Sequence, residues 1–272
     1  MINIFLLITT ISLLLFIIFL IFVFMISDEN KEVQPYLFTF YNKIKYYSQD
    51  SIINPNYTLI KNNDIYVINN FLNKKLFNNL KKIFNNKHYD SKKINILVTQ
   101  RSGYGIDFFK LHKQEEYHKL LELYYSPHLI NTISKIVKKQ VQRISLSDNS
   151  ASSLLIYNNK GDNIGWHYDN SNYYGDRYVA LLTIINENKD KNDLSDNVFQ
   201  YQYDNQINSL KMKENSLIIF KGSEVLHQST AIADNERRIL FSMVFCDICQ
   251  EKKNIFTYYL EKIKTNVLYG YS

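Results

Sequence analysis

From Ala151 to Cys246 the chain is cut into short runs rich in β-branched and aromatic residues. They read "SSLLIY", "IGWHYD", "RYVALLTIIN", "NVFQYQY", "NSLIIF", "EVLHQSTAI" and "RILFSMVF", with Gly161, Gly175 and Gly222 in the turns between them. Strands this short and this regularly spaced fold into a β-sandwich or barrel. The insert "NENKDKNDLSDN" is too charged for a core and belongs in a surface loop. Helical periodicity comes earlier. A short strand, Ile65 to Ile68, precedes a helix carrying Leu72, Leu76, Leu80 and Ile83 at helical spacing. "QEEYHKLLELYY" and "SPHLINTISKIVKKQ" predict two more helices, the second with Ser126 as N-cap and Pro127 at its first position. "RSGYGIDFF", Arg101 to Phe109, reads either as a mobile lid or as a glycine-containing connector. The expected class is α+β, with a β-core and supporting N-terminal helices.

Within that core, "IGWHYDN" places His167 and Asp169 two residues apart in a strand, so both side chains leave one face. A third candidate, His227, lies in "EVLHQST", 60 residues further on and also in a strand pattern. Two imidazoles and one carboxylate form the facial triad of a non-haem Fe(II) site. Such a triad leaves one face of an octahedron open for reactants. The following strand, "NERRILFSMVF", adds Arg237, ten residues past His227, and Arg238 beside it. A buried guanidinium near a metal calls for a carboxylate partner, which its planar fork grips through two hydrogen bonds. The two arginines point to opposite faces, so only one of them reaches such a pocket. His112, His118, His128 and His88 have no partners at ligand spacing and are expected to be structural or surface residues.

His167-x-Asp169, His227 and Arg237 resemble the signature of the Fe(II)- and 2-oxoglutarate-dependent dioxygenases, in particular their prolyl 4-hydroxylase-like branch. "IYVINNFLNKKLFNNL" resembles the opening strand and helix of that branch, and "IYNNKGDNIGWHYDN" its approach to the metal. The likeness runs from about Asp64 to Asp247. It departs at "NVFQYQY", where many relatives carry a Gly-Gly pair. The resemblance implies a double-stranded β-helix, a squashed jelly roll. It implies that His167, Asp169 and His227 hold Fe(II) and that Arg237 binds the distal carboxylate of 2-oxoglutarate. Tyr157, ten residues before His167, would touch the same cosubstrate. Arg238 is the alternative to Arg237, and Ser242 shares its face. The implied reaction couples oxidative decarboxylation of 2-oxoglutarate by O2 to hydroxylation of a substrate, with ascorbate as an accessory reductant. The resembled substrate is a peptide or protein side chain. An oxygenase of lipids or other small molecules, and an inactive barrel used as a binding module, are the alternatives.

Outside this domain, Met1 to Ser27 contains no Asp, Glu, Lys or Arg. It is long enough to cross a bilayer and lacks a small-residue cleavage site, so it is expected to be an uncleaved, single-pass signal anchor of undetermined orientation. Residues 28–62 are expected to form a linker, 63–250 the dioxygenase domain and 251–272 a tail with helical character. The net charge of +6 comes from lysines scattered among asparagines. This is a generic basic surface, and no nucleic-acid partner is expected. A single C-x-x-C, Cys246 and Cys249, cannot complete a structural zinc site, which leaves buried thiols or a local disulfide.

Overall fold

The computed structural model describes residues 8–19 and 52–252, except 85, 86, 88, 90, 91, 97, 98, 147 and 170. The rest of the expected anchor, most of the linker, His88 and the tail beyond Lys252 lie outside the described residues. Residues 8–19 form helix α1, whose leucines and isoleucines are exposed. Among the described residues no helix is long and apolar enough to cross a membrane.

The body is an antiparallel, two-sheet jelly roll. β1 (Thr58–Asn62), β2 (Ile65–Asn69), β11 (Leu217–Lys221), β8 (Arg177–Glu187), β13 (Arg237–Cys246) and β6 (Ser152–Tyr157) run in that order across the larger sheet. The smaller sheet holds β7 (Asn163–His167), β12 (His227–Ser229), β9 (Phe199–Tyr203) and β10 (Gln206–Leu210). From β6 onward successive strands mostly switch between the two sheets, which is the winding of a double-stranded β-helix. β4 (Thr99–Ile106) joins them: Arg101 and Ser102 pair with β7, while Tyr104 to Ile106 pair with β6. Gly103 sits at the crossing with φ +147°, and a Cβ there would lie 2.9 Å from the Ile156 carbonyl oxygen. This backbone suits glycine alone. The segment expected to be a lid or connector is therefore a strand at the seam of the barrel. It ends at Asp107, which caps α3 (Phe108–Lys113) by accepting from the Phe109 and Lys110 amides. β3 (Lys92–Ile96) completes a hairpin with β4, and β5 (Gln142–Arg143) pairs with β13.

The helices cover the outer face of the larger sheet. α2 (Lys74–Lys82), α4 (His118–Tyr125) and α5 (Pro127–Val137) bury Phe77, Leu80, Leu121, Tyr124 and Ile133 in one apolar core with Ile239, Phe241 and Met243 of β13. Ser126 caps α5 by accepting from the His128 amide, with Pro127 next, as the sequence predicts. β8 is covered on both sides, so it reads as a continuous apolar run. Ala180 and Leu182 face the helices, while Val179 and Leu181 face the other sheet. Thr58–Asn62, assigned by the sequence to the linker, pair with β2 and belong to the sheet. "NVFQYQY" is one arm of a hairpin closed by Asp204 and Asn205, both at positive φ. Cys246 and Cys249 form a disulfide at the end of β13.

His112 illustrates the helical core. Its Nδ1–H donates to the Phe108 carbonyl, and its Nε2 accepts from the Tyr125 hydroxyl. Burial pushes its pKa down to about 4. It is therefore neutral when folded, whereas the unfolded chain takes up a proton below about 6.5. Stability should fall as pH drops from about 6.5 toward 4, by up to about 3 kcal/mol from this group. Urea titrations across that range should show a shallower acid loss for His112→Gln than for the parent. Equal slopes would mean that His112 carries no part of the effect.

Candidate metal centre

β7 and β12 are antiparallel neighbours, and their register sets His167 directly opposite His227. The two rings lie 4.2 Å apart between centroids. Asp169 continues the line of β7, its amide donating to the Gly222 carbonyl at 2.9 Å. Its carboxylate reaches both rings. Oδ1 is 3.8 Å from His167 Nε2, and Oδ2 is 4.0 Å from His227 Nε2. One ligand atom from each residue lies within 4.8 Å of the other two. Each imidazole is held the same way: Nδ1–H donates to the carbonyl two residues earlier, Gly165 at 2.8 Å and Val225 at 2.9 Å. That bond fixes the tautomer and turns the Nε2 lone pair inward, as metal-ligating histidines require.

The electrostatics suit a cation. His227 is buried against Phe199 and Phe220, and burial lowers its pKa to about 4, so it is a neutral donor at physiological pH. For Asp169, burial acts to raise the pKa. Arg177 and the two imidazoles outweigh it, and the carboxyl titrates below its usual value. Arg177, at the start of β8, places NH1 3.2 Å from Asp169 Oδ2.

These residues line a cavity between the two sheets, which also receives Tyr157, Arg238, Ser242 and Arg101. Here the expectation for Arg237 is corrected. Along β13, Ile239, Phe241 and Met243 face the helices while Leu240 faces the barrel interior, so the alternation turns Arg237 outward and Arg238 inward. Arg237 donates through NH2 to the Phe84 and Lys87 carbonyls, at 2.7 and 3.1 Å. Arg238 is 1% exposed and donates to Ser229 Oγ at 2.6 Å and to Asn197 Oδ1. Among the described residues no carboxylate pairs with it, and its Nε has no acceptor. Burial lowers its pKa to about 10, so it stays a cation at neutral pH. Ser242 shares the inward face, and Tyr157 is Arg238's register partner on β6.

Sequence reasoning missed Asn197, Ser229, Arg177, Arg101 and Gly222. Asn197 stands at the end of the charged insert, whose composition hides a fully buried side chain. Ser229 was readable, since it shares a strand face with His227 by period two.

The family model that matches is HalD, Halogenase D, over residues 57–259. The chain belongs to this family. The Halogenase D match, the jelly roll and the triad together make it a member of the Fe(II)- and 2-oxoglutarate-dependent oxygenases. The same fold occurs in an oxidoreductase of the 2OG-Fe(II) oxygenase family from Burkholderia pseudomallei. The two are 9% identical, with a TM-score of 0.52 over 70% of this chain and 89% of that one. A Pseudomonas putida prolyl-4-hydroxylase is 12% identical, with a TM-score of 0.46 over 68% of this chain and 92% of that one. A Trichoplax adhaerens prolyl hydroxylase, in complex with a hypoxia inducible factor oxygen degradation domain peptide fragment, is 14% identical. Its TM-score is 0.47 over 80% of this chain and 96% of that one. No curated protein matches the sequence.

The triad makes a direct prediction. His167→Ala should weaken Mn(II) or Fe(II) binding roughly a hundredfold or more, because one of three protein donors is gone. The metal-free melting temperature should barely move, since His167 ends a strand and is only half-buried. His227→Ala should lose the metal and also melt earlier, because its ring packs on Phe199 and Phe220. Unchanged affinity in the His167 variant would remove it from the metal site.

Proposed function

We propose that this protein hydroxylates a peptide or protein side chain, using Fe(II), 2-oxoglutarate and O2, and that its N-terminal apolar segment holds it at a membrane. One observation carries the chemistry. The buried cation Arg238, with no carboxylate partner among the described residues, shares a cavity with a two-His, one-carboxylate triad. An uncompensated buried charge costs several kcal/mol. A dicarboxylate that meets the metal at one end and Arg238 at the other relieves that cost.

His167, Asp169 and His227 would hold the Fe(II), which supplies the redox chemistry with O2. The other residues bind and orient. Asn197 and Ser229 hold the Arg238 guanidinium through NH1, which would leave its Nε for the cosubstrate's distal carboxylate. Tyr157, opposite Arg238 on β6, and Ser242, further along β13, also line the cavity and could offer hydroxyls to the same carboxylate. Val179, Leu181, Phe220 and Leu240 supply apolar lining to the cavity. Low local polarity strengthens the guanidinium–carboxylate contact.

The family's name offers halogenation as a second reading. Asp169 argues against it. Asp169 would supply a third protein donor to the iron, at the position a halide would otherwise need. The peptide assignment rests on the likeness of residues 64–247 to the prolyl 4-hydroxylase-like branch, and a lipid or other small molecule is the competing substrate class.

Succinate release should be measured with Fe(II), 2-oxoglutarate and ascorbate against a peptide panel and a lipid panel, with chloride present or absent. Peptide-dependent release and a product heavier by one oxygen support the proposal, whereas a chlorinated product would overturn it. In the same assay Arg238→Ala should raise the apparent KM for 2-oxoglutarate by about 2–5 kcal/mol in free-energy terms, with Arg238→Lys less affected. Arg237→Ala should leave that KM unchanged, since its side chain serves the α2 end of the fold.

Membrane attachment is supported by the uncharged run Met1 to Ser27. Deleting residues 1–27 should move the protein from the membrane to the soluble fraction with its 2-oxoglutarate turnover intact. Recovery of the full-length chain in the soluble fraction would refute the anchor.

A further inference from the structure

The carboxylate ligand is gripped from three directions, by groups that neither the triad nor the cosubstrate site explains. The Asp169 amide donates to the Gly222 carbonyl at 2.9 Å, and the Gly222 amide donates to the Arg177 carbonyl at 3.0 Å. The Arg177 side chain, 7% exposed, returns to the same place, with NH1 3.2 Å from Asp169 Oδ2. Gly222 leaves no spare room. A Cβ on it would lie 2.3 Å from Asp169 Oδ2 and 2.8 Å from a methyl of Val179. Three separate segments thus converge on one carboxylate: the end of β7, the start of β8 and the turn after β11.

We infer that Arg177 and Gly222 are positioning residues that make Asp169 a one-oxygen ligand. Arg177 occupies Oδ2 with its positive charge, which leaves Oδ1, on the His167 side, as the donor. Gly222 supplies the space in which Oδ2 can sit beside the guanidinium. A carboxylate without this restraint can swing both oxygens onto a metal and take a second coordination position. In this triad that position is the one left over once the 2-oxo acid is bound. The clamp therefore does more than strengthen metal binding. It sets the number of positions that the protein leaves open.

This inference rests on the proposed metal centre, so the test reads metal coordination directly. Metal-free protein is titrated with Co(II), following heat by calorimetry and coordination number by the intensity of the visible d–d bands. The parent should bind with a spectrum of fixed intensity. Arg177→Met keeps the bulk of the side chain and removes the charge. It should weaken Co(II) about 10–100-fold, the usual cost of losing an outer-sphere partner of a ligand, and change the band intensity. Arg177→Lys should recover most of the affinity and the parent spectrum. Gly222→Ala keeps the charge but displaces the carboxylate, and it should change the band intensity with Arg177 in place. Circular dichroism on the metal-free variants confirms their fold. If Arg177→Met does not fold, Arg177→Lys and Gly222→Ala carry the comparison. Parent protein that binds no Co(II) would defeat the metal centre itself. Parent binding that Arg177→Met and Gly222→Ala leave unchanged, in affinity and in spectrum, would overturn the clamp alone.

Discussion

The pairing of β7 with β12 is the constraint on which the site depends. Each strand is short, yet their antiparallel register sets His167 against His227 across the smaller sheet. A slip of one residue would turn a ring to the opposite face, because side chains alternate with period two. The register is held from outside the pair. β9 fixes the other edge of β12, β4 fixes the other edge of β7, and the Asp169–Gly222 bond ties the end of β7 to the larger sheet. The apolar clusters then follow. Val179, Leu181, Phe199 and Phe220 pack on one side of the barrel interior, and Tyr157, Leu240 and Ile232 on another. The cavity lies where these two clusters fail to meet.

The polar content of that cavity is unusual for a protein interior. Among the described residues Arg101, Arg177 and Arg238 all line it, against the single carboxylate Asp169. Arg177 is neutralised by Asp169, and Arg238 is oriented only by neutral acceptors. A neutral side chain in place of Arg238 would remove a desolvation cost of several kcal/mol, so stability alone does not explain it. Storing a buried positive charge in a cavity is instead a way to gain affinity for an anion. The cost is met in folding and recovered on binding.

The triad was legible because each of its cues is local. H-x-D in a strand fixes two ligands on one face, and a third ligand type appears where a later strand begins. A β-sandwich or barrel was legible at the level of strand spacing, its jelly-roll form through the family resemblance, and the α5 cap at the level of single residues. The face of β13 was misread for a physical reason. Arg237 and Arg238 are chemically equivalent in sequence, and only their neighbours tell them apart. Ile239, Phe241 and Met243 form a large apolar row, which is what a helix-covered face demands. Arg237 heads that row at its solvent end, whereas Arg238 falls in line with the smaller row of Leu240 and Ser242. The contacts of Arg177 and Gly222 with Asp169 were not legible at all. Arg177 meets Asp169 from eight residues along the chain through its guanidinium, and Gly222 meets it from 53 residues along through one backbone carbonyl and one missing Cβ, and neither leaves a periodic trace.

Asp169 is where fold and chemistry become inseparable. Its backbone bonds to Gly222 just past the end of β7, its side chain is part of an ion pair, and its carboxylate completes the triad. A shorter residue there would vacate a coordination position, and it would also leave the Arg177 charge buried without its partner. Uncompensated buried charge is expensive, so such a replacement would have to come with a change at Arg177 or with an anion to take the carboxylate's place. The two proposed readings, halogenation and hydroxylation, thus differ at one carboxylate and the cation beside it. In this chain both are present and in contact. The proposed hydroxylation, which would need only one open position, is the reading that this pair supports, and the contacts of Arg177 and Gly222 with Asp169 are its structural basis.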